Sequence, residues 1–585
     1  MSRALGYALC ALLAIANAHA TRSCAVPLRT KAGYVCGARR VTPSGLQYAS
    51  FRGVPYAEPP FGPLRFQELK PLESWHGMLD ATRPGNVCPQ DDVFYGPLMT
   101  PTGMSESCIF ANIHVPFNAL PSMTDALTTM TSQGRPVREV LTLTPRVRYN
   151  KNIPEEAHVS KGLPILVFVH GGGFAFGSGD DDVHGPEHFV EDGVIVITFN
   201  YRLNVFGFLS LNTSKVPGNS GLRDMITLLR WVRDNARSFG GDPDDVTLAG
   251  QSAGASAVHL LTLSPPAQGL FHKAIIMSGT ALPLFYTTSP IFAKYAAESF
   301  LKALNINATD PDAIHQQLAE MPLDTIMAVN KALQDASGIA FFFPVIESPL
   351  PGVEAVLPED TQTLLKKGFG SHIPLLIGMT NMECESFRKR FSDIDIVERI
   401  KKLPTLVLSP TVLFSVAPEV ALERAKEVSE KYFNGAPTID EYLKLCSETF
   451  FQYPALKVAD YRAKTGGAPA YMYEFAYNSD DNPVRRALGL NYTGGAGHVE
   501  DMTYMFNVNS VKVPRNLEDE QMKHLMNDYV VNFIKTGAPS TRSWSPISKQ
   551  RAYWKITSPK DTKLTRPTTE QDDMVRFFDD IIGRS

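Results

Sequence analysis

At 585 residues, with 44% hydrophobic and 20% charged side chains, the chain has the composition of an ordinary globular protein and ample material for a large core. A formal net charge of −4 and the absence of any long basic run argue against nucleic acid as a partner. A neutral or apolar small molecule is the more natural one.

The chain opens with Met1-Ser2-Arg3, an apolar stretch from Ala4 to Ala16, and Ala18-His19-Ala20. This is the pattern of a secretory signal peptide, with cleavage expected after Ala20. No later apolar run approaches the roughly 18 residues that a membrane span needs. The tail, Asp579 to Ser585, carries neither a retention signal nor a lipid-anchor signal. The mature protein is therefore expected to be soluble and extracellular. Loss of Cys10 with the leader leaves Cys24, Cys36, Cys88, Cys108, Cys384 and Cys446. An even set in that compartment is consistent with disulfides, whose connectivity stays open at this point. Asn212, Asn307 and Asn491 each begin an Asn-x-Ser/Thr sequon and are candidates for glycosylation.

Residues 21–50 read as short strands and turns, where Cys24 and Cys36 could staple a hairpin. Phe51 to Ala57, with Pro59, Pro60 and Pro63 behind it, is too rich in proline for helix and is expected to be a wrapped surface loop. A further loop holds Trp75. The polar stretch from Cys88 to Cys108 would close a loop beside a site if those two cysteines were bridged. Ile109 to Val115 resembles a strand. Residues 117–162 have no sustained period, and a structureless connection this long is uncommon inside a compact domain. Three readings are open for it: a disordered surface insertion, a retained intron or other error in the gene structure, or a lid. Regularity then returns, with strands expected at Ile165–Val169 and 194–199, and a helix over 222–239 ending at Gly240-Gly241-Asp242-Pro243. Further short strands are expected at 274–277 and 375–377. Strands alternating with helices imply an α/β fold with a mainly parallel sheet covered on both faces. No internal repeat is evident, and residues 21–585 read as one catalytic domain.

The chemistry gathers around Gly250-Gln251-Ser252-Ala253-Gly254, entered from the apolar run Val246 to Ala249 and left by a helix-forming run. Strand, Gly-x-Ser-x-Gly and helix in that order is what a nucleophile elbow needs. By itself the pentapeptide is equally a glycine-rich turn. A serine at its free pKa is a poor nucleophile and needs a base within reach. His259 lies seven residues along the following helix, about 10 Å up its axis, and is excluded. His170 more plausibly holds the loop it precedes. His498, in Gly494 to Asp501, lies on a glycine-rich loop and fits the chain order nucleophile, acid, histidine. The acid is expected just past the strand at 375–377, where Glu383 and Glu385 are not separable by spacing. Gly171-Gly172-Gly173 after a strand, together with the amide of Ala253, can supply donors for the negative oxygen of acyl transfer. No Cys/His cluster at zinc spacing and no phosphate-binding loop is evident in the sequence, so neither metal nor cofactor is expected.

These stretches, with Phe51 to Ala57, Ser105-Glu106-Ser107-Cys108, Asn200-Tyr201-Arg202, Phe239 to Pro243 and Thr536 to Pro539, resemble the type-B carboxylesterases, the cholinesterase-like α/β hydrolases. Apart from the leader and 117–162, the likeness covers the chain. It implies an α/β-hydrolase fold, a triad of Ser252, Glu383 and His498, and oxyanion donors at Gly172, Gly173 and Ala253. It also implies a Cys88–Cys108 disulfide and an Arg52–Glu106 ion pair. Within the family, Gln251 before the serine, His170 to Gly179, and Gly497 to Asp501 are similar to insect juvenile hormone esterases and antennal esterases. Those relatives imply a small lipophilic ester as substrate, either a hormone methyl ester or odorant acetates. Ser107, Met225 and Cys384 depart from the family pattern, and its second disulfide after the elbow is missing. No tryptophan lies between Cys88 and Cys108 to hold a quaternary ammonium, which argues against a cholinesterase. Phe174, Phe176 and Phe341-Phe342-Phe343 are candidates to line an apolar pocket, or are ordinary core. The rival of another class, a non-catalytic adhesion or ligand-sequestering member of the fold, is opposed by the intact serine, histidine and acid.

Overall fold

The computed structural model describes residues 24–121, 162–282, 287–514, 516–540, 543–548 and 550–583. Residues 1–20, where a leader is expected, and all but the first residues and the last residue of the 117–162 stretch lie outside them. Thirteen described strands make one sheet. They are β1 (Val26–Arg29), β2 (Tyr34–Val41), β3 (Gln47–Pro55), β4 (Met78–Asp80), β5 (Phe110–Pro116), β6 (Leu163–Val169) and β7 (Ile195–Phe199). After these come β8 (Gly241–Gln251), β9 (Lys273–Met277), β10 (Leu375–Thr380), β11 (Ala470–Phe475), β12 (Tyr553–Ile556) and β13 (Thr562–Thr565). The order is β1-β2-β3-β5-β7-β6-β8-β9-β10-β11-β12-β13, with β4 beside β2. Neighbours from β7 to β12 are parallel, and the outer pairs are antiparallel apart from β2–β4.

The central strands are continuous apolar runs because both of their faces are covered. Ile195 to Phe199 is buried at every position, and so is Leu375 to Thr380. Helices α1 (Ser220–Asn235), α2 (Ala253–Leu263), α3 (Tyr453–Thr465) and α4 (Leu517–Thr536) are among those that flank the sheet. In such a sheet ligands meet the carboxyl ends of the parallel strands. The loops after β6, β8, β10 and β11 carry the residues singled out above.

Two expectations need correction. Phe51 to Pro55 is not a surface loop but the end of β3, with Phe51 fully buried, a bulge between Phe51 and Val54, and the proline at the last position of the strand. The run expected as helix to Phe239 leaves α-geometry at Ala236 and finishes as a 3-10 turn. Cys24–Cys36, Cys88–Cys108 and Cys384–Cys446 are disulfides, which settles the open connectivity. Asn212, Asn307 and Asn491 are all exposed.

Candidate active site

Strand β8 runs straight into Ser252, whose backbone takes φ 60° and ψ −127° before α2 begins at Ala253. A non-glycine residue at positive φ is strained, and here the strain lifts the side chain off the strand end. The bend is held by the Ser252 N–H, which donates to the carbonyl of Met277 at 2.8 Å, at the end of β9. A Cβ on Gly254 would stand 2.1 Å from the carbonyl oxygen of Val169. Only glycine lets α2 start that close to β6.

The loop after β6 turns back at once, with the amides of Ala175 and Phe176 donating to the Gly172 carbonyl at 2.9 and 3.0 Å. Gly172 and Gly173 both have positive φ and line the same cavity as Ser252 and His498. Ala253 is the first residue of α2, where an amide has no partner four residues back and the helix dipole favours negative charge. His170 is buried, places Nδ1 2.8 Å from the Gly171 carbonyl oxygen and stacks on Tyr201 at 4.4 Å. Burial pushes it down to about 4, so it stays neutral and holds the loop. His259 is likewise buried, pushed down to about 3, and accepts from the amide of Ala281.

Glu383 follows β10 and is fully buried. Its Oε2 lies 2.6 Å from Nδ1 of His498. Its Oε1 accepts from Ser278 Oγ at 2.7 Å and from the Thr380 amide at 2.8 Å. The backbones of the two loops are joined as well. The His498 amide donates to the Glu383 carbonyl, the Met382 amide donates to the Ala496 carbonyl, and Ser386 Oγ donates to the His498 carbonyl. Val499, a β-branched residue, sits at φ 76° directly after the histidine. Glu385 points elsewhere, to Arg388 at 2.8 and 2.9 Å. Of the two carboxylates that spacing left open, Glu383 is the one that meets the histidine.

Ser252 and His498 line one cavity. Phe94, Tyr95, Phe176, Ile339, Phe387, Phe391, Cys446, Phe450 and Phe451 make up the rest of its lining. None of its described lining residues is an Asp, Glu, Lys or Arg. Phe451 and Phe387 pack on the His498 ring at 4.7 and 5.1 Å. Such a site has a strained serine, an imidazole oriented by a buried carboxylate, and backbone amides close by in apolar surroundings. It has the parts for nucleophilic acyl transfer.

The model of the carboxylesterase family matches residues 25–575. The chain belongs to that family. This carboxylesterase is 47% identical to the juvenile hormone esterase of Heliothis virescens over 575 residues, 97% of this chain and 96% of that one. It is 30% identical to the para-nitrobenzyl esterase of Bacillus subtilis over 501 residues, 84% of this chain and 87% of that one. Among solved structures it is similar to the juvenile hormone esterase of Manduca sexta with OTFP covalently attached. The TM-score is 0.87 and the identity 47%, covering 95% of this chain and 99% of that one. The fold is the α/β-hydrolase fold, and the protein is a juvenile hormone esterase-like carboxylic ester hydrolase.

Other expectations for this carboxylesterase resolve differently. Arg52 does not pair with Glu106. It reaches Asp181 at 3.2 Å, while Glu106 is held by Arg65, whose Nε and Nη2 each donate at 2.7 Å. Arg52 sits on β3 and turns to the loop after β6, whereas Arg65 follows the proline-rich turn and faces Glu106. Phe176 lines the cavity, but Phe174 packs on Phe208, and Phe341 and Phe342 pack on Phe292 and Phe300. Sequence reasoning missed Ser278 altogether. It also missed Asp501, which accepts from Tyr473 at 2.7 Å and is pushed up to about 6, chiefly by burial. Asp501 and Gln251 were both visible inside quoted motifs. Ser278 gave no local signal.

Proposed function

We propose that this carboxylesterase is secreted and hydrolyses neutral lipophilic esters through an acyl-enzyme, with a juvenile hormone-type methyl ester as its substrate. Residues 1–20 are removed as a leader, and residues 21–585 form one catalytic domain. Ser252 attacks the ester carbonyl, His498 takes its proton and returns it to the leaving alcohol, and Glu383 holds the imidazole tautomer and balances its charge. The amides of Gly172, Gly173 and Ala253 receive the negative oxygen. Water then repeats the sequence on the acyl-enzyme.

One observation carries this reading. The Glu383–His498 bond and the strained Ser252 open into a cavity lined almost wholly by aromatic and aliphatic side chains. Apolar walls reward a lipophilic acyl chain and offer no partner to a charged one. The 47% identity to the juvenile hormone esterase of Heliothis virescens supports the choice of ester. The test is a turnover panel that sets a sesquiterpenoid methyl ester against long-chain acetates and short xenobiotic esters. A kcat/KM at least tenfold higher for the methyl ester is expected. Preference for the acetates would make the protein an odorant-degrading esterase, and preference for the short esters a xenobiotic-degrading one.

A further inference from the structure

Gln251 immediately precedes Ser252, and its side chain is wholly buried. Its amide nitrogen lies 3.0 Å from Nε2 of His498. The opposite nitrogen of that ring, Nδ1, is 2.6 Å from the Glu383 carboxylate. A neutral imidazole carries one N–H, and a carboxylate can only accept. The ring proton is therefore on Nδ1, and Nε2 presents its lone pair to the Gln251 N–H. The other end of the amide, Oε1, has no hydrogen-bond partner among the described residues. It lies over the loop after β6, where a Cβ on Gly171 would stand 2.6 Å from Gln251 Oε1 and 3.0 Å from Ser252 Cβ. The amide is thus confined between the nucleophile, the glycine loop and the base, with one end engaged and the other idle.

We propose that Gln251 is a second positioning residue for His498. It acts on the ring nitrogen opposite Glu383, and its amide reverses as the ring becomes charged. The inference rests on the serine-hydrolase reading above. In the resting enzyme the Gln251 N–H holds Nε2, shares its lone pair with the incoming serine proton, and favours the uncharged ring. When the Ser252 hydroxyl proton moves to Nε2, the electron pair of Oγ forms the bond to the carbonyl carbon, and the Nε2 lone pair is used up. Two N–H groups would then face each other. A half-turn of the amide replaces that clash with the idle Oε1, which accepts from the charged ring. A carboxylate at 251 could make only the second contact, and a thioether neither.

The titratable groups around His498 are few. Glu383 follows β10, Asp501 lies on the histidine's own loop, and Tyr473 of β11 stands behind Asp501. Phe387 and Phe451 present only rings. Glu500 is neutralised by Arg485 at 3.0 Å. All of these stay constant when only residue 251 is changed.

The experiment measures kcat/KM against pH for para-nitrophenyl acetate in the wild type, Gln251→Met and Gln251→Glu, with Tm recorded for each. In Gln251→Met, which loses the contact to the uncharged ring and the contact to the charged one alike, the acid limb should stay within about half a unit of the wild type while kcat falls more than KM rises. In Gln251→Glu, which keeps only the acceptor and adds a charge beside the ring, the limb should move upward by about one unit or more. Where either variant fails to fold, Gln251→Asn, whose amide is one methylene short of Nε2, must lower kcat as Met does. Intact turnover in Gln251→Met, or an acid limb in Gln251→Glu that superimposes on the wild type within about 0.2 unit, would overturn the inference. Turnover surviving Ser252→Ala would instead overturn the reading beneath it, so the two failures are distinguishable.

Discussion

Nδ1 of His498 lies 2.6 Å from Oε2 of Glu383, although 115 positions separate them in the chain. The contact is enforced from both sides. Ser278 and the Thr380 amide fix the carboxylate, and backbone hydrogen bonds tie the two loops together. Glu383→Gln keeps the size and removes the charge, so the imidazole loses both its tautomer control and its counter-ion. We expect kcat to fall by about three to four orders of magnitude with little change in KM. Glu385→Gln disturbs only the pair with Arg388 and should stay within about threefold. Steady-state kinetics on the two variants checks the order, and equal losses would move the acid.

The Cys384–Cys446 disulfide joins the residue after Glu383 to a wall of the cavity. It closes a loop of 62 residues that includes Phe387 and Phe391. Replacing both cysteines by serine should cost about 2–4 kcal/mol in stability. It should also raise KM for a long-chain ester more than for an acetate. Urea denaturation and a two-substrate assay test this, and unchanged KM values would show that the bridge serves stability alone.

Arg65 holds Glu106 through two bonds and also donates to the carbonyls of Leu318 and Met321 at 2.6 and 2.9 Å. The pair is nearly buried, with side-chain exposures of 6% and 12%. Glu106→Leu strands the guanidinium and should cost about 3–5 kcal/mol, while Arg65→Met/Glu106→Leu should recover part of that loss. Denaturation of the single and double variants measures the coupling, and strict additivity would contradict it.

Asp180 is buried beside Asp181 and Asp182, and burial followed by their charges pushes it from 3.8 up to about 7. The folded chain therefore holds a proton on this group between about pH 4 and pH 7 that the unfolded chain releases. Its contribution makes stability fall as pH rises through that window and level off above it. Asp180→Asn removes the titration, so the stability difference, variant minus wild type, should grow from pH 4 to pH 7. Thermal melts across that range decide it, and parallel curves would refute the assignment.

Much of this was legible in local pattern. The apolar run into Gly250, the helix-forming run out of Gly254 and the glycines after His170 each specify a strand-to-loop or strand-to-helix turn. What escaped depends on strand order. Ser278 reaches Glu383 only because β9 lies beside β10, with Met277 level with Gly378. Arg52 and Arg65 sit in the same proline-rich neighbourhood, and nothing in their spacing says which one faces Glu106. The aromatics at 387, 391, 450 and 451 become cavity walls because the chain from Cys384 to Phe451 brings them to the cavity that holds the serine, and no short window contains that information. Strand β13, Thr562 to Thr565, is polar and partly exposed at the sheet edge, so it carries no apolar signal.

The most direct test of the account is mass spectrometry of the protein after stoichiometric reaction with a phosphonate ester, alongside the Ser252→Ala variant. The account predicts a single adduct on the peptide that holds Ser252, complete loss of ester turnover as labelling completes, and neither labelling nor turnover in the variant. An adduct on another residue with turnover lost, or turnover surviving in Ser252→Ala, would contradict it.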